Sequence, residues 1–113
     1  MGLLTRVGAL LSAFVAGCGM MQTHVSIENQ ATSPVTDARL TAAGQEIWSG
    51  TLQAGETKAI QFSPAGDGSF EFSGTLNGTP LTSELVGYTT PNDPTRHALL
   101  IDAQGKVSYS TGQ

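Results

Sequence analysis

Ser69-Phe70-Glu71-Phe72-Ser73-Gly74-Thr75-Leu76-Asn77-Gly78 decides the fold. Phe70, Phe72, Gly74 and Leu76 fall on one side of an extended chain, and Ser69, Glu71, Ser73 and Thr75 fall on the other. That period of two is what a strand with one buried face requires. Gly74, in phase with the apolar side, marks a bulge or a close approach of another backbone. Asn77-Gly78 then fits a two-residue type I′ turn, because both positions tolerate φ > 0. The chain is expected to reverse there and return along one strand over Thr79 to Tyr88.

Working outward, the same rhythm recurs every 8–12 residues or so. Thr23 to Asn29 alternates, with Val25 and Ile27 on one face and His24, Ser26 and Glu28 on the other. Val35 to Thr41, Gln45 to Leu52 and Thr57 to Ser63 follow, separated by Pro34, Ala43-Gly44 and Ala54-Gly55-Glu56. Pro64-Ala65-Gly66-Asp67-Gly68 is a strong breaker. Arg96 to Asp102 and Gly105 to Ser110 make a last hairpin. The reading is all-β: an antiparallel β-sandwich of about 7–8 strands, with a small closed barrel as the alternative. The expected core is Val25, Ile27, Leu40, Ile60, Phe62, Phe70, Phe72, Leu85, Leu99 and Ile101, with Trp48 in it or at its edge. The pattern resembles exported immunoglobulin-like modules, without the Cys…Trp…Cys core of antibody domains.

The first residues read differently. Met1 to Arg6 carries one basic side chain, and Val7 to Val15 is apolar apart from Gly8 and Ser12. This is the order of a secretory signal, and the run is too short to span a bilayer. Val15-Ala16-Gly17-Cys18 resembles the lipobox of bacterial lipoproteins. The resemblance implies a signal peptide over 1–17, cleavage before Cys18, and acyl chains on its thiol and new amino terminus. A tether then spans 18–22, and one domain fills 23–113. Gly19 after the cysteine, where aspartate would favour inner-membrane retention, implies the outer membrane. Several acyl chains anchor stably where one binds marginally. Cys18 is the only cysteine, so no intramolecular disulfide can form.

Nine acidic and five basic residues give a net charge of −4, scattered without runs. Nucleic acid is therefore not an expected partner, since phosphate neutralisation needs clustered Lys and Arg. His24 and His97 show no metal-ligand spacing, and both read as surface-facing strand residues. No serine sits in a Gly-x-Ser-x-Gly elbow, and no phosphate or dinucleotide loop occurs. Asp67 lies in turn chemistry rather than a calcium loop. The chain is thus expected to be no enzyme and to use no metal or cofactor.

The segment 87–97 stands out, holding Tyr88, Asn92, Asp93, Arg96 and His97 between Pro91, Pro94 and two strands. Two readings stay open. It recognises a partner, its prolines lowering the entropy lost on binding. Or it only crosses between sheets, with Tyr88 capping the core and Asp93–Arg96 a surface pair. The functional expectation is a lipoprotein held to the bilayer through Cys18 that serves as an accessory subunit to an envelope protein partner. The alternative is an inhibitor or ligand-binding module that meets an exogenous protein or cell-wall glycan through this loop.

Overall fold

The computed structural model describes residues 22–83 and 85–112; Cys18 and the leader lie outside them. The described residues fold into two packed sheets built from nine strands and no helix. These are β1 (Thr23–Asn29), β2 (Val35–Ala42), β3 (Gln45–Leu52), β4 (Thr57–Phe62), β5 (Gly68–Leu76), β6 (Thr79–Thr82), β7 (Val86–Thr89), β8 (Arg96–Ile101) and β9 (Val107–Gly112). One sheet runs β4-β1-β8-β9. The other runs β3-β2-β5-β6, with β7 also paired to β5. The sheets do not close on each other, so the fold is a sandwich and not a barrel. Every pair is antiparallel except β1 with β8, which is parallel and lies at the centre of its sheet.

The hairpin that decided the fold forms as read. Asn77 and Gly78 both have positive φ, 52° and 77°. Phe70, Phe72 and Leu76 point inward and are buried. Gly74 is the close approach, for a Cβ there would lie 2.6 Å from a Val35 methyl. Opposite it β2 bulges, losing register between Thr36 and Arg39.

The return strand is a correction. Thr79 to Tyr88 is not one strand but two, β6 and β7, because Ser83 interrupts the ladder. Its backbone N–H donates to the Phe72 carbonyl, while its side-chain hydroxyl accepts from the Phe72 N–H, each at 2.8 Å. A hydroxyl thus takes the place of a backbone carbonyl, and β7 resumes out of phase. Leu85 falls in this break and is 69% exposed, against its expected place in the core. The other expected core residues are buried, and Trp48 packs half-buried at the core's edge.

Both ends of β1 are closed by buried polar side chains. At one end Asn29 Nδ2 donates to the carbonyls of Ser33, Leu52 and Gln53, and Asn29 Oδ1 accepts from the Ala31 N–H. It supplies partners to loop carbonyls that would otherwise be stranded from water. At the other end Thr23 Oγ1 donates to the Asp93 carbonyl at 3.1 Å. That second bond fixes the 90–95 loop beside the start of β1.

Candidate functional site

The loop between β7 and β8 is held from inside. Asp93 and His97, expected at the surface, are both buried, at 8% and 3% exposure. His97 lies on the inner side of β8 in phase with Leu99 and Ile101. Its Nε2 stands 2.7 Å from Asp93 Oδ2, and its Nδ1 stands 2.6 Å from the Tyr109 hydroxyl on β9. Thr89 Oγ1 donates to Asp93 Oδ2 at 3.0 Å, and the Thr95 N–H donates to Asp93 Oδ1 at 2.9 Å. The expected Asp93–Arg96 pair is therefore replaced by Asp93–His97. Arg96 points to the outer face and is exposed.

Charge orders the protons in this network. Burial pushes the Asp93 carboxyl up. The Thr95 backbone N–H, His97, and the hydroxyls of Thr95 and Thr89 more than offset this and hold it at about 2. An ionised carboxylate only accepts, so His97 Nε2 carries a proton. In the neutral ring Nδ1 then accepts, and Tyr109 donates to it. Burial first, and then the Asp93 charge, push the Tyr109 phenol up, opposed by the Tyr88 backbone N–H. Tyr109, His97 and Asp93 thus form one hydrogen-bonded chain that ends on the Asp93 carboxylate. Below it lies Phe70, 4.8 Å from His97 and 6.2 Å from Tyr109 between ring centroids.

Gly87 lets this chain close. Its φ is +68°, and a Cβ there would overlap the Tyr109 ring. Gly87→Ala is expected to cost about 1–2 kcal/mol in backbone strain and about 1–3 kcal/mol in overpacking. The melting temperature should fall by at least about 8 °C in a domain this size. A thermal unfolding scan checks it, with loss of the Tyr109 hydroxyl proton signal as the local readout.

The edges of β7 and β9 part around this chain to leave a concavity of about 530 Å³, lined by Tyr88, Thr90, Thr95, His97, Tyr109 and Thr111 among others. Tyr88 is 57% exposed and caps no core. Partial desolvation first, and then the neighbouring Asp67, push its phenol up. Asn92 is exposed at the loop tip with φ 61°. The structure thus gathers Tyr88, Asp93 and His97 at one concavity and leaves Asn92 and Arg96 outside it. His24 and Arg96 are register partners on the outer face, whereas His97 pairs with Val25 and faces inward. The two histidines are on opposite sides of the sheet, and no group of three or more His, Cys, Asp or Glu gathers among the described residues.

Sequence reasoning missed Tyr109 and Thr89. Val107, Tyr109 and Thr111 alternate in phase with β8's buried side, and that was the available signal. No family model and no curated protein matches the chain. Among solved structures, an NMR structure of a protein from Eubacterium rectale is similar over 85% of this chain and 93% of that one. Its TM-score is 0.58 at 19% identity, a likeness of fold alone.

Proposed function

We propose that the chain is a lipid-anchored, non-enzymatic interaction module of a bacterial envelope that presents a pinned loop close to the membrane. The observation that carries this is the placement of the loop. Thr23 Oγ1 holds the Asp93 carbonyl, so the loop sits at the end of the sandwich where the chain enters from Cys18. The four residues Gly19 to Gln22 reach about 14 Å when extended. A loop tied to Thr23 then meets partners that are themselves at the bilayer surface. A non-enzymatic role is supported by how Asp93 and His97 are used. Both are buried, at 8% and 3% exposure, and the hydroxyl on the His97 ring belongs to Tyr109, whose phenol is pushed up and not activated.

Membrane fractionation and crosslinked affinity purification test this reading. The lipidated chain is expected to stay with membranes at high salt. Cys18→Ser is expected to be released, with an unchanged melting temperature, and to lose the envelope partner. Tyr88→Ala and Arg96→Ala are expected to weaken capture without unfolding. Cys18→Ser remaining in membranes at high salt overturns the anchor.

The hydroxyl-rich concavity beneath Tyr88 favours a second reading, a module that binds an exogenous protein or cell-wall glycan. Equal capture of one soluble ligand by both forms would put that reading first.

A further inference from the structure

Sheet edges expose unpaired backbone groups, and proteins guard them with charge, proline, irregularity or shortness. The edges here differ sharply in this respect. β3 carries Glu46 and breaks register with β2 twice. β4 turns Lys58 toward the inner side. β6 has four residues and includes Pro80; β7 also has four and pairs irregularly with β5. β9 has none of these devices. Its six residues, Val-Ser-Tyr-Ser-Thr-Gly, contain no charge and no proline, and all six pair with β8 in unbroken register. Among the described residues it is the long unguarded edge.

Two further features lie beside it. The concavity opens between β9 and β7, so a strand added along β9 would run past its mouth. Inward side chains of that strand would follow the line of Val107, Tyr109 and Thr111, and one of them would reach the space beside Tyr88 and Thr111. Leu85 and Tyr88, the large hydrophobic side chains left exposed among the described residues, both belong to the segment that carries β7. Backbone pairing gives such an addition its affinity, and a pocket for alternate side chains gives it selectivity.

We propose that β9 is a docking edge for an extended segment of a partner protein, uncharged and alternating apolar with hydroxyl residues, whose apolar side chain enters the concavity beside Tyr88. The alternation matches Tyr109 and Thr111 inside and Ser108 and Ser110 outside. A second copy fits less well. Its own β9 turns Val107 and Tyr109 against its own core, with Tyr109 bonded to His97, so it offers no free apolar side chain to the concavity of a neighbour.

The test titrates the full-length protein in detergent micelles with the heptapeptide Thr-Val-Ser-Val-Ser-Val-Thr and its Leu and Phe counterparts. A control peptide has proline at the centre. Amide hydrogen exchange is followed along the whole chain. At least one alternating peptide is expected to slow exchange at 107–112 by about tenfold or more, and the proline peptide is expected to do nothing. Ser110→Lys and Thr111→Arg, both at exposed positions, are each expected to weaken binding about tenfold with the melting temperature kept. No protection at 107–112 with any of the peptides at millimolar concentration overturns the proposal, as does protection at β3 or β4 instead. A dimer in the Cys18→Ser protein that Ser110→Lys dissolves overturns the choice of partner. Peptide binding at β9 by a Cys18→Ser protein that still fractionates with membranes leaves the docking edge standing and removes the anchor alone.

Discussion

Replacing Phe70 with alanine is expected to lower the melting temperature by about 15 °C or more, the largest effect of any single substitution considered. Phe70 is fully buried, and it meets Phe62 edge-on at 6.0 Å and 82°. It also forms the floor under His97 and Tyr109. Phe→Ala in a core costs about 3–5 kcal/mol, because lost transfer energy adds to a cavity that neighbours fill only in part. In a domain with about 5–15 kcal/mol of total stability, that is a large fraction. Each kcal/mol moves the midpoint by about 4–8 °C at this size. Denaturant unfolding should show a lower midpoint with an unchanged slope, as expected when stability changes and the unfolded state does not. Phe70→Leu should lose less than half as much. An alanine variant within 3 °C or so of the parent would mean that Phe70 does not hold the two sheets together.

Asp93→Ala is expected to cost about 3 kcal/mol. It strands three donors, the His97 Nε2–H, the Thr95 N–H and the Thr89 hydroxyl, in a place where little water reaches them. Each unsatisfied buried group costs about 1–3 kcal/mol, and the losses overlap because the donors share one acceptor. The acid limb of stability carries the signature. The carboxyl sits at about 2 in the folded protein against an ordinary value of 3.8. The folded state therefore binds the proton more weakly than the unfolded chain. Asp93's contribution is fully present above about pH 4 and is lost as pH falls toward 2. Allowing for partial solvation at the concavity, that contribution is on the order of 1–2 kcal/mol. Asp93→Asn keeps the shape and should flatten stability across that window. An Asn variant with the parent's full acid limb would assign the limb to other carboxylates.

The strands were legible because their burial follows a period of two with few exceptions, and the turns because Asn77-Gly78 leaves the backbone little choice. Where reading failed, a side chain had stood in for the backbone. Ser83 satisfies the Phe72 N–H with its hydroxyl, and nothing in Thr79 to Tyr88 distinguishes that serine from an ordinary strand residue. His97 was legible in principle, for it lies two residues before Leu99 and four before Ile101 on the same face. Its chemistry hid the pattern, since a lone histidine reads as polar until a carboxylate is placed beside it. That carboxylate, Asp93, comes from the loop. Only the three-dimensional path of 90–95 brings it under the ring. Thr23 and Asn29 repeat the lesson on β1, where both are in phase with Val25 and Ile27 and both are buried by what they bond.

The pairing of β1 with β8 sets when this molecule can become a structure at all. Thr23 finds Asp93 70 residues further along the chain, and the centre of one sheet exists only when those two segments meet. Loop closure over that distance comes before the contacts that reward it, so folding is expected in milliseconds to seconds rather than microseconds. A nascent chain that has emerged only as far as β7 has one sheet it can complete and another that lacks its middle. It stays open until its last twenty residues or so are available. On the export proposed above, such lateness is an advantage, because the topology itself delays collapse until β8 and β9 have followed.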